Sequence, residues 1–289
     1  GASRAAAPLA RAAEAMPRAA TAEARGAQAR RSSQDEFASP RQTIIILDWD
    51  DTLFPTSYVR DRQSPDRIRL ARAAAAAEQL LRRAAALGEV RIVTLAKAPW
   101  VSMSCEHFFP GLQALLHQLG IKVVYAAVEE DGSQMDYDKV GEMTEGEAER
   151  LLSGAKGRAI ARELRQFYSH YEGQTWKNVI SIGDSVFERS GTHSAVKSYL
   201  EGKGISSKDP NGRGELEAAN GQVFKVRTKT LKLKEGPTID EVTAQVTALQ
   251  RWLPQLVRTD ASFDLELSYQ GADVHTQAIG QALRPAVDL

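Results

Sequence analysis

The 289-residue sequence predicts an α/β domain on a doubly wound, Rossmann-like parallel sheet of five strands, with helices on both faces and a minimal cap. Two observations predict it. Short apolar, β-branched runs alternate with longer helical stretches along the chain. Two of those runs end abruptly in acidic residues, as strands do when they open onto a ligand crevice.

The elements follow in order. Thr43-Ile44-Ile45-Ile46-Leu47 is an uninterrupted apolar run, the pattern of a strand buried on both faces. Phe54 to Pro65 is polar and Pro-punctuated, a flap rather than a cap domain. Ser64-Pro65-Asp66 opens an Ala/Leu/Arg helix that runs to Leu87 and stops at Gly88. Val90 to Val93 is the second strand. Pro99 to Leu119 is read as helix, stopped by Gly120, and Ile121 to Tyr125 as the third strand. Glu129 to Glu147 is polar and read as loop. Lys156 to Tyr171 is read as helix on the spacing of Ile160, Leu164 and Phe167. Asn178 to Ile182 and Gln222 to Val226 complete the five strands. Thr238-Ile239-Asp240-Glu241 is a capping box opening a last helix, with Ile239, Val242, Val246 and Leu249 on one face and Pro254 ending or kinking it. The expected organisation is a tail over 1–40, one domain over 41–257, and a C-terminal tail over 258–289.

Lys+Arg and Asp+Glu both number 37, so the net charge is zero, and 43% of residues are hydrophobic. That balance excludes a wholly disordered chain and argues against a dedicated nucleic-acid binder. Cys105 stands alone, so no intrachain disulfide and no Cys-based zinc site can form. No apolar run approaches the roughly 20 residues that cross a bilayer. The Ala/Arg-rich opening has the composition of a transit segment in faint form. The expectation is a cytoplasmic protein with a disordered or frayed N-terminal tail.

Chemistry concentrates at strand ends. The first strand runs into Asp48-Trp49-Asp50-Asp51-Thr52-Leu53. Clustered carboxylates are costly there unless a hard cation offsets them, and oxygen donors suit Mg²⁺. Val179-Ile180-Ser181-Ile182-Gly183-Asp184-Ser185 is a second buried run ending in an acid, followed by Glu188. The second strand ends in the Thr94 hydroxyl. Lys156 precedes Asp184 and could neutralise phosphate. Lys97 and Lys177 are alternatives for that lysine. Trp49, Phe54, Trp100, Phe108 and Phe109 are candidates to line a groove, with core packing the plainer reading for the last two. Lys225, Arg227, Lys229, Lys232 and Lys234 read as a solvated basic loop.

Together these residues resemble the phosphohydrolases of the haloacid dehalogenase superfamily. Asp48, Asp50 and Thr52 match the first motif, Thr94 the second, Lys156 the third, and Asp184 with Glu188 the fourth. Asp51 departs from the pattern, because many relatives have Gly there, and Glu188 stands where an Asp is common. The resemblance implies a Mg²⁺-dependent phosphatase acting through an aspartyl-phosphate. Asp48 would be the nucleophile and Asp50 the general acid and base. Asp48, Asp50 (through its carbonyl) and Asp184 would hold the metal, Thr94 and Lys156 would bind phosphate, and Thr52, Ser185 and Glu188 would support them. With so little room for a cap, the expected partner is a phosphorylated substrate, a phosphoprotein or another large molecule. A catalytically silent binding module and a phosphotransferase to another acceptor are the alternatives.

Overall fold

Every residue of Thr43–Leu47 is buried, and the segment forms β1 in the interior of the sheet. The computed structural model describes residues 34–62, 64–128, 132–205, 216–217 and 223–267. Expectations for 1–33 and 268–289 lie outside the described residues. After β1 come helices α1 (Thr56–Arg60) and α2 (Arg67–Leu87), strand β2 (Glu89–Thr94), helices α3 (Trp100–Phe108) and α4 (Leu112–Gln118), and strand β3 (Lys122–Tyr125). Helices α5 (Tyr137–Gly141) and α6 (Glu145–Phe167), strand β4 (Asn178–Gly183) and helix α7 (Val186–Gly202) follow. The chain continues with β5 (Leu216–Glu217), β6 (Val223–Phe224), β7 (Arg227–Lys232), α8 (Ile239–Arg258) and β8 (Phe263–Glu266).

One six-stranded, all-parallel sheet has the order β3-β2-β1-β4-β7-β8. The chain works outward from β1 through β2 to β3, then returns to place β4 on β1's other side. That reversal makes the gap beside the C-terminal ends of β1 and β4 the topological switch point, where such sheets bind ligands. Side-chain alternation along β1 feeds two cores. Ile45 and Leu47 pack with α2, α3, α4 and α8, while Ile44 and Ile46 pack with α6 and α7. Helix α2 turns Leu70, Ala73, Ala77, Leu80 and Ala84 inward, and Asp66 caps it by accepting from the Ile68 and Arg69 N–H groups. Helix α8 turns Ile239, Val242, Val246, Leu249 and Leu253 inward and continues through Pro254 to Arg258.

Several boundaries differ from the sequence expectation. The sheet has six strands, not five. The fifth sheet strand is Arg227–Lys232, just beyond the expected run, and β6 pairs antiparallel with β5 in a separate ribbon. The basic residues expected in a solvated loop therefore lie largely inside the fold. Arg227 donates to Asp260 Oδ1 at 2.6 Å and to Gln34 Oε1 at 2.7 Å. Lys229 is buried and donates to the Leu256 and Val257 carbonyls at 2.7 and 3.1 Å, in the last turn of α8 where carbonyls lack partners within the helix. Strand β8 falls in the expected C-terminal tail, and Leu267 beyond it is buried. At the other end Phe37 lies under the Arg227 guanidinium, 4.0 Å from its ring centre. The ordered domain thus extends past 41–257 at both ends. The stretch read as one helix over 99–119 is two, broken at Pro110-Gly111, where Gly111 has φ +92°. Helix α6 begins at Glu145 on the Thr144/Glu147 capping box, inside the expected loop, so Lys156 sits mid-helix rather than at a helix start.

Candidate active site

The site lies at the switch point. Asp48 is the first residue past β1, held in the ladder by its N–H donating to the Ile182 carbonyl at 3.0 Å. Asp184 follows the last residue of β4. Helix α6, packed across the same face, delivers Lys156 from 108 positions away, and Nζ donates to Asp48 Oδ1 at 2.6 Å. The same ammonium pairs with Glu188 of α7. Of the three lysines the sequence left open, Lys156 is the one at Asp48. Lys97 lies 5.0 Å over the Tyr137 ring, and Lys177 donates to the Thr175 carbonyl below the start of β4.

Glu188 is fixed from a second direction. Its Oε2 accepts from Ser185 Oγ at 2.7 Å and from the Ser185 N–H at 3.3 Å, the capping box of α7. Ser185 therefore acts through Glu188, and Glu188 through Lys156. Thr52 is buried and donates to Asp184 Oδ1 at 3.5 Å.

Asp48, Asp184 and Glu188 each offer a carboxylate oxygen, all within 4.8 Å of one another. This set of hard oxygen donors can hold a metal ion. Burial pushes the Asp48 carboxyl well up; Lys156 pulls against that shift, and Glu188, Asp50 and Asp184 reinforce it. Asp184 is pushed up to about 7, first by burial and then by Glu188 and Asp51. Burial alone would lower Lys156, but Asp48 and Glu188 outweigh it and raise its pKa. One ammonium among this many carboxylates leaves negative charge for a cation to offset.

Asp50 is the meeting point of three donors. Thr56 Oγ1 and Trp100 Nε1 donate to Oδ1 at 2.5 and 2.7 Å, and Thr94 Oγ1 donates to Oδ2 at 2.9 Å. Thr94 is fully buried and also accepts from the Ala96 N–H at 2.9 Å. This hydroxyl, expected to bind phosphate, reaches the crevice and donates to Asp50. Asp51 has φ +50°, a left-handed conformation that Asp tolerates better than most residues. Its carboxylate accepts from the Ser57 N–H and Oγ at 2.9 and 2.6 Å, anchoring α1.

Trp49, Phe54 and Phe109 form core rather than a groove, whereas Trp100 is half-buried and Phe108 lines a surface cavity with Leu70 and Leu112. Trp49 and Phe54 are fully buried and stacked with centroids 5.7 Å apart, and Phe109 meets Phe54 edge-on at 5.0 Å. Trp100 alone among them reaches a reacting-group candidate. The sequence held no periodic signal for the Thr56 and Trp100 contacts, since the first spans a turn and the second spans α1, α2 and β2. Between β1 and β2, and between β2 and α6, the described residues carry only α1 to α5 and β3, with no separate cap sheet.

Comparison with protein-family models, curated proteins and solved structures finds no match for this chain. No helix among the described residues is long and apolar enough to cross a membrane.

Proposed function

We propose that this chain is a Mg²⁺-dependent phosphomonoester hydrolase of the haloacid dehalogenase type, working through an aspartyl-phosphate. The observation that carries the reading is the convergence of Asp48, Lys156, and the Asp184/Glu188 pair, from three separate parts of the chain, into one cluster. In this reading Asp48 attacks phosphorus and the leaving oxygen departs with the P–O bonding electrons. Asp50 gives that oxygen its proton, then takes one from the water that hydrolyses the intermediate. Lys156 holds the Asp48 carboxylate in place and offsets charge on the phosphoryl oxygens. Asp48 and Asp184 would hold Mg²⁺, with the Asp50 carbonyl as the resemblance implies, and the bound ion would offset negative charge on the nucleophile and the phosphoryl group. The lack of a separate cap among the described residues suits a large substrate such as a phosphoprotein.

The test is hydrolysis of p-nitrophenyl phosphate by the wild type and Asp48→Asn, with Mg²⁺ and with excess chelator. The expected outcome is Mg²⁺-dependent turnover that falls about a thousandfold or more in the variant. Equal rates in the two proteins would overturn the reading.

A further inference from the structure

We infer that Trp100 is a positioning residue for Asp50, which with Thr56 occupies one carboxylate oxygen and leaves the other to face the leaving group. The inference rests on the phosphatase reading above and goes beyond it, because no motif includes Trp100 or Thr56.

A carboxylate oxygen has two in-plane acceptor positions. On Asp50 Oδ1 both are taken, by the Trp100 indole N–H at 2.7 Å and the Thr56 hydroxyl at 2.5 Å. Among the described residues Oδ2 accepts only from Thr94, at 2.9 Å, which leaves one of its positions open. The indole nitrogen is a donor only and cannot accept a proton from Oδ1, and a proton on Oδ1 would displace the donation from Thr56. The transferable proton therefore belongs on Oδ2. As the bond from Asp48 to phosphorus forms and the bond to the leaving oxygen breaks, that proton moves to the leaving oxygen. The O–H electron pair stays on Asp50 as carboxylate.

Trp100 is itself held in place. It starts α3, is half-buried, and meets the Phe54 ring edge-on at 5.9 Å, and Phe54 is fixed by Trp49 and Phe109. The indole N–H thus approaches Asp50 from a packed aromatic wall, and that rigidity is what positioning requires.

Leaving-group dependence tests the inference. Trp100→Phe keeps a ring against Phe54 and removes the N–H. A p-nitrophenolate departs with little need of a proton, whereas unsubstituted phenolate needs one. Trp100→Phe is expected to lower kcat on phenyl phosphate about tenfold more than kcat on p-nitrophenyl phosphate, with KM on both nearly unchanged. Thr56→Val removes the other donor to the same oxygen and is expected to give the same pattern, which decides the matter if Trp100→Phe fails to fold. Equal losses on both substrates in the folded variants, or no loss, would overturn the inference and leave the phosphatase reading standing. A wild type that hydrolyses neither substrate overturns both.

Discussion

Gly183 holds the site together by lacking a side chain. A Cβ there would run into Cγ and Oε2 of Glu188, the residue that fixes Lys156. Gly183→Ala is expected to push Glu188 aside and free Lys156. The expected result is a loss of phosphatase turnover of about tenfold or more, with a stability cost of about 1–3 kcal/mol, read by kinetics and urea unfolding on the same preparation. Removing a partner outright costs more, because a broken buried ion pair leaves a charge uncompensated. At this scale the sequence was legible where residues ended apolar runs. Asp48 and Asp184 stand directly after buried strands, so their place at the crevice followed from burial alone. The three donors on Asp50 were not legible, since hydrogen bonds to Thr94 and Trp100 join residues 44 and 50 positions apart and leave no local pattern. Thr94 shows the same limit: its strand-end position was readable, but its partner was not.

Helices α6 and α7 cross through Gly157 and Gly191, and this contact sets where Lys156 reaches. A Cβ on Gly191 would lie 2.8 Å from the Gly157 nitrogen. Neighbouring backbone is not free to yield, so Gly191→Ala is expected to part the helices. The predicted cost is about 1–3 kcal/mol of stability, with turnover falling alongside it as Lys156 moves off Asp48. Urea unfolding and kcat check it, and unchanged values for both would contradict the role given to the crossing. Element existence was readable wherever apolar periodicity was strong, as in β1, α2 and α8. It was misread where composition masked geometry. The polar stretch before Lys156 hid the first turns of α6, although Thr144 and Glu147 carry a capping box. Strand β7 looked solvated because Arg227, Lys229 and Lys232 are basic, yet their heads find acceptors at the end of α8 and on Asp260 and Glu266. Side-chain stems of that length can line a strand while the charge is satisfied elsewhere.

Across the whole molecule, buried lysines give stability an unusual dependence on pH. Burial and the nearby Arg227 lower Lys229 to about 7 and Lys177 to about 8, against about 10.4 for a free lysine. Between those values the unfolded chain binds more protons than the native one, so these two groups make stability rise with pH. The urea midpoint of the wild type is expected to gain on that of Lys229→Met from about pH 7 to pH 10, and a constant difference between the two would exclude the effect. Above that range Tyr168, whose hydroxyl is buried and pushed upward, acts in the opposite sense as unfolded tyrosine ionises. The parallel, twin-faced architecture was legible at this scale, but its outermost strand was not, because four residues following a helix carry too little pattern. The strand order has one more consequence. Asp48 is made early in the chain, but the lysine that grips it, the aspartate opposite and the glutamate behind all come more than a hundred residues later. A polypeptide halted before β4 carries Asp48 and at most Lys156, without Asp184 or Glu188, so the cluster is incomplete until β4 and the start of α7 have been made.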